Sequence, residues 1–303
     1  MEDRGISATE CADNKRPLRI VLGAAVVLLS LAFLGYFVYR NRTALTAYQW
    51  QPNYGQLALS LVLHLLAFVA AIVAWHLMMR RMAEADNWRH NLRIYCFGAL
   101  AKRLPGVAWD IATRAVMYDQ MGVSKAVVAL ASVVELVLVF VAGIVSYIAL
   151  RPFSSSAALG TLPLLAALAL GAILTHPRVL AWAVRRVKRE AQVVHLRYRD
   201  TLAWLFLYVW TWLFSGAMLF VIIRSLFDLP LGHLPQILAD WTLAGLATSL
   251  LTFLPTNLGL QEVTLTLLLA RYVPEPVALV AVILMRGLTI VYSVLWVLLS
   301  TRL

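Results

Sequence analysis

Apolar runs long enough to cross a bilayer recur along almost the whole of this chain. A helical span needs about 20 mostly apolar residues. Residues 18–39, 56–79, 124–150, 157–175, 201–227 and 277–300 meet that requirement. Hydrocarbon offers backbone N–H and C=O groups no partner, so such runs must be helices that satisfy their own hydrogen bonds. The expected fold class is therefore all-α, a polytopic membrane protein with about six full transmembrane helices. Charged residues make up 14% of the 303 and hydrophobic ones 62%, too little charge to cover a water-soluble domain of this length.

The first run is read as a retained helix. Arg40, Asn41 and Arg42 follow it, where a signal peptide would carry small residues for cleavage. Residues 1–17 then form a polar cytoplasmic tail, and 18–303 a single transmembrane domain.

The net charge of +11 does not point to nucleic acid, because the basic residues are spread over loops between apolar runs. One side of the membrane would receive Lys15, Arg16, Arg19, Arg80, Arg81, Arg89 and Arg93, followed by the basic cluster within residues 177–200. The other side receives only Arg40, Arg42, Arg151, Arg224 and Arg271. Cytoplasmic loops carry the excess of Lys and Arg. Both termini are therefore expected in the cytoplasm, with the chain in a plasma (inner) membrane of bacterial type. Within 177–200, Val179, Leu180, Trp182, Ala183, Val187 and Val194 are expected to form an apolar stripe opposite the arginines, as in an interfacial amphipathic helix. Such a helix either attracts anionic headgroups or is an ordinary basic loop that is helical.

Two further apolar stretches are broken. One runs from 92 to 104, stops at Pro105 and Gly106, and resumes over 107–121. The other runs from 237 to 254, stops between Pro255 and Gly259, and resumes over 260–272. Proline and glycine end a helix, so each stretch is expected to form a re-entrant helical hairpin, with a kinked single span as the alternative. A turn and a full span follow each one. Three crossings separate the hairpins, which puts them on opposite faces as inverted repeats, about 92–150 and about 236–300. Paired broken segments of this kind point to a midplane transport site.

Ionisable residues in hydrocarbon are costly and mark functional sites. Glu135 and Arg286 lie mid-span in corresponding positions and could face each other across the repeat interface, either as a structural ion pair or with Arg286 as a phosphate clamp. Glu262 follows the second break, where free helix N–H groups would favour an anion, so it is read as part of the binding site, with a capping role for its carboxylate as the alternative. Asp110 and Arg114, four residues apart on one arm, either pair locally or offer Arg114 as a second headgroup contact. Lys102 and Arg103 either face a vestibule or snorkel. His64 and His76 read as helix-packing histidines before proton carriers. Cys11 and Cys96 give neither a disulfide framework nor a metal spacing. Phosphate loop, nucleophile elbow and metal-ligand cluster are all missing from the sequence, so no enzyme, cofactor or metal site is expected.

The run Leu104-Pro-Gly-Val-Ala-Trp-Asp110, with Arg114, Gly122-Val-Ser and Glu135, resembles one signature of a membrane family. Leu254-Pro255 through Gly259-Leu-Gln-Glu262, followed by Arg286, resembles its second. The family is the flippase-like transmembrane domain of lysylphosphatidylglycerol synthases and its stand-alone relatives, and the likeness covers roughly residues 56–300. Asp110 stands where many members carry glutamate, and Thr256 and Asn257 replace glycine in the second turn. The resemblance implies translocation of phospholipids or polyprenyl-linked lipids between leaflets, without the soluble aminoacyl-transferase domain. The expected partners are membrane lipids with anionic or phosphate-bearing headgroups. A separate lipid-modifying enzyme and a second copy of the chain are further candidates. The alternative function is a membrane enzyme, or a non-transporting accessory subunit, of lipid or lipid-linked-sugar modification.

Overall fold

The computed structural model describes residues 36, 39, 42–48, 50–102, 108–150, 161–187, 197–250 and 260–302. Apart from a 3-10 turn at Leu231–His233, the regular structure among these residues is α-helical. In chain order the helices are α1 (Arg42–Ala47), α2 (Tyr54–Met82), α3 (Trp88–Ala101), α4 (Trp109–Asp119), α5 (Lys125–Leu150) and α6 (Thr161–Leu174). After these come α7 (Pro177–Val187), α8 (Tyr198–Leu226), α9 (Leu234–Leu250), α10 (Leu260–Leu269) and α11 (Glu275–Arg302). Four of them, α2, α5, α8 and α11, are long and apolar enough to cross a membrane. The pair α6 and α7 would make a fifth candidate, but it is bent by 53°. The expected first crossing at 18–39 lies almost wholly outside the described residues, as do the breaks at Pro105, Gly106, Pro255 and Gly259.

Local chemistry sets the helix starts. Asn53 caps α2 by accepting from Gln56 N at 3.2 Å, and Asn87 caps α3 by accepting from His90 N at 3.1 Å. At α8, Arg197 N donates to the Asp200 carboxylate at 3.0 Å. Pro276 sits in the first turn of α11, where its missing N–H removes no helical bond. Ala108, just before α4, holds a left-handed φ of 69°, a conformation that strains a residue with a Cβ.

The long helices α5 and α8 hold the bundle together, each contributing to both of its apolar clusters. One cluster joins them to α2, α3, α4 and α7 around Trp75, Met78 and Leu138. The other joins them to α9, α10 and α11 around Phe220, Leu246 and Met285. Between the two, Trp212 of α8 donates from Nε1 to the Val139 carbonyl at 2.9 Å and lays its ring against Gly245. A Cβ at Gly245 would stand 2.5 Å from that ring, so glycine is what lets α9 close on α8. The outward faces stay apolar, with Leu61, Leu65 and Val69 on α2 and Val291, Leu295 and Leu298 on α11 all exposed. Exposed apolar faces of this extent suit lipid and not water.

In each half a short arm packs on its predecessor, α3 against α4 and α9 against α10. A long helix then follows each arm pair, α5 in the first half and α11 in the second.

The basic segment corrects one expectation. Trp182 does not belong to the apolar stripe of α7; it is 61% exposed, while Leu180 and Val184 are buried. The reason is angular. Residues 178, 182 and 185 fall on one helical face, so Trp182 shares the arginine side, and the inward side is filled by Leu180 and Val184.

Candidate functional site

Glu135 and Arg286, which in sequence could face each other across the repeat interface, each take another ion partner. Glu135 pairs with Arg114, and Arg286 pairs with Glu262. Each pair therefore joins a short arm to the long helix that follows it: α4 to α5, and α10 to α11. The signs are exchanged, with the arm carrying the cation in the first half and the anion in the second. Arg114 also does not take Asp110 as its ion partner; Asp110 is half-buried one turn earlier on α4.

The first pair is enclosed. Its side chains keep only 5% and 12% exposure. The Arg114 guanidinium carbon lies 4.2 Å from the Trp75 ring centre and 4.6 Å from that of Tyr95, so the cation is clasped between two aromatic faces. Tyr208 of α8 donates its hydroxyl to the second Glu135 oxygen at 3.2 Å. Gly98 of α3 makes room, since a Cβ there would fall 2.6 Å from Arg114 Nε. A bare ion pair taken out of water gains little, because desolvation cancels the Coulomb attraction. Here the rings and the Tyr208 hydroxyl offset part of that cost, while Arg114 Nε, buried against Gly98, has no hydrogen-bond partner among the described residues. Arg114 is thus walled off, contrary to the expectation that it offers a second headgroup contact.

A polar chain continues from this cage. Trp75 Nε1 donates to the Tyr118 hydroxyl at 3.0 Å, and Tyr118 donates to Asn91 Oδ1 at 2.6 Å. The Asn91 amide donates to the Ala85 carbonyl at 2.7 Å and to His76 Nδ1 at 2.8 Å. His76 is therefore a hydrogen-bonded packing residue. His64 stacks on Tyr292 with ring centres 4.6 Å apart, also a packing arrangement.

The second pair is open. Arg286 keeps 36% of its side chain exposed and Glu262 keeps 16%. Glu262 sits in the first turn of α10, where the helix dipole favours a carboxylate. Gly287, beside Arg286, has nothing within 4 Å of where a Cβ would stand, so the helix surface next to Arg286 is open. A partly exposed arginine with spare donors can bind an oxygen anion without first being dug out of the core.

Several residues of this arrangement escaped the sequence reading. Trp75, Tyr95, Gly98 and Tyr208 build the cage, yet each looks like ordinary helix packing in sequence. Asp240 of α9 is fully buried and was not singled out, although a lone acid in an apolar run is the same signal that marked Glu135. Lys102 is exposed at the end of α3.

A family model described as the lysylphosphatidylglycerol synthase TM region matches residues 19–296, which takes in both ion pairs. The chain matches no curated protein. With most of its length covered, the chain belongs to the family of the lysylphosphatidylglycerol synthase transmembrane region, and its role is tied to membrane lipids.

Proposed function

We propose that this protein is a lipid translocase that moves a polar-headgroup phospholipid or a polyprenyl-linked lipid between leaflets of the plasma membrane. The observation that carries the reading is the open Glu262–Arg286 pair between α10 and α11. An ionisable pair half-exposed within a membrane-spanning bundle has little structural advantage over apolar residues of the same size. Its value lies in exchange: Arg286 can release Glu262 and take a headgroup phosphate.

The arm pairs are read as re-entrant hairpins that enter from opposite faces, with both termini in the cytoplasm. Arms that pack on each other support this better than a straight kinked span. The headgroup would pass through the polar space between the hairpins while its tails stay in lipid. The enclosed Arg114–Glu135 pair serves in this scheme as the fixed counterpart that holds α4 on α5. No covalent step is assigned to the chain, so transport runs downhill or on an ion gradient.

The test is reconstitution of the full chain into vesicles carrying labelled lipids, scored by leaflet accessibility. Arg286→Ala and Glu262→Gln should lower the rate while the protein stays folded. A rate unaffected by either substitution removes the pair from the pathway.

A further inference from the structure

We propose that the exposed face of α7 is a binding surface for anionic phospholipid headgroups, separate from the Glu262–Arg286 pair and independent of whether lipids are translocated.

The geometry points to it in three steps. Arg178, Trp182 and Arg185 recur at spacings of four and three residues, so they share one helical face, with Arg186 beside them. All four are exposed, and Trp182 is 61% exposed. Leu180 and Val184 on the opposite side are buried in the bundle, which fixes α7 in rotation and leaves the arginine face no freedom to turn inward. An indole held outward between two guanidinium groups suits the headgroup level, where the ring's apolar body and polar N–H are both satisfied.

The second step is placement. The 53° bend after α6 takes α7 off the direction of that span. His176, at the bend, packs edge-on against Tyr198 with ring centres 4.9 Å apart, which ties the start of α7 to the start of α8. Arg81, in the last turn of α2, lies 3.3 Å from Asp200 in the first turn of α8. The end of α2 and the starts of α7 and α8 therefore gather at one end of the bundle, as a surface-lying helix requires.

Charge supplies the third step. Asp200, the carboxylate nearest in this end of α8, is already engaged by Arg81 and by Arg197 N. Among the described residues no carboxylate lies within ion-pair distance of Arg178, Arg185, Arg186 or Arg199. Arg199, with Arg197, extends the basic surface around exposed Tyr198. Phosphates of an anionic leaflet complement this face, and each basic residue near such a surface contributes about 1 kcal/mol, roughly a fivefold change in binding.

The full chain in phosphatidylcholine nanodiscs, with phosphatidylglycerol raised stepwise from zero, gives a direct test. Hydrogen exchange is followed in peptides covering 177–187, with α2 peptides as the control for folding. Protection of α7 should rise with the phosphatidylglycerol fraction. The half-maximal fraction should shift upward roughly fivefold for Arg178→Gln or Arg185→Gln. The triple variant with Arg186→Gln should lose the response, and the matching triple lysine variant should keep it, because charge and not fork geometry is required. An α7 that exchanges equally in both lipid mixtures, as it would if the arginines faced only water or an acidic protein, overturns the proposal. So does a triple glutamine variant that still responds to phosphatidylglycerol.

Discussion

Arg114 and Glu135 form an ion pair sealed inside the bundle, with the guanidinium held between the faces of Trp75 and Tyr95. Glu262 and Arg286 form the corresponding pair in the second half with the signs exchanged, and that pair is open. One contact is shut away from the surroundings; the other keeps part of its arginine exposed. The difference in surroundings gives the two pairs responses to mutation of different size.

Removing one partner of the enclosed pair strands a charge in a dry site. Glu135→Gln or Arg114→Met should each destabilise the protein by about 3–5 kcal/mol. The combined Arg114→Met, Glu135→Leu variant should recover much of that loss, because no uncompensated charge remains. Thermal unfolding in detergent measures all three.

The Tyr208 hydroxyl is a hydrogen-bond donor to Glu135 within that cage. Tyr208→Phe keeps the ring and deletes the donor. A hydrogen bond to a charged group is worth about 1.5–3 kcal/mol, and the loss should fall in that range. In the Glu135→Gln background the same substitution should cost less, and a double-mutant cycle reads the coupling.

Gly98 is expected to be intolerant for a local reason. Its Cβ would stand 2.6 Å from Arg114 Nε, and Arg114 is held by two rings and a carboxylate, so it cannot step aside. Gly98→Ala should destabilise by about 1–3 kcal/mol. A methionine there is no longer tied to a carboxylate and can turn aside, so Gly98→Ala should cost clearly less in the Arg114→Met, Glu135→Leu background than in the wild type.

The fold class was legible because span length and backbone hydrogen bonding leave little choice in hydrocarbon. Glu135, Glu262 and Arg286 were legible for a related reason: charge is expensive in a membrane and therefore rare. Which charge meets which was not legible. Glu135 and Arg286 occupy matching positions in sequence, but pairing follows the packing of each arm on its own span, and that is a tertiary property. Trp75, Tyr95 and Gly98 were hidden because aromatic and small residues are common in every apolar helix. Trp182 was misplaced by counting it as apolar; its angle on the helix puts it with the arginines. Asp240 is buried within a stretch whose sequence is dominated by the break that follows it.

The open pair should matter less to stability than the closed one. Arg286→Ala should lower stability by less than Arg114→Met, since a partly exposed charge is already screened by its surroundings. Arg286→Lys should keep part of any lipid transport, as lysine retains the charge but loses the two-pronged fit to phosphate. Parallel melting curves and transport rates separate the two effects.

The most direct test of the account is leaflet exchange of a fluorescent phospholipid in vesicles, read by quenching from outside. Wild-type protein should expose inner-leaflet label well above the protein-free rate, and Arg286→Ala, folded and inserted, should return it to that rate. Wild-type vesicles that match protein-free ones for every phospholipid and polyprenyl-linked lipid offered, or an Arg286→Ala protein that exchanges lipid as fast as wild type, would contradict it.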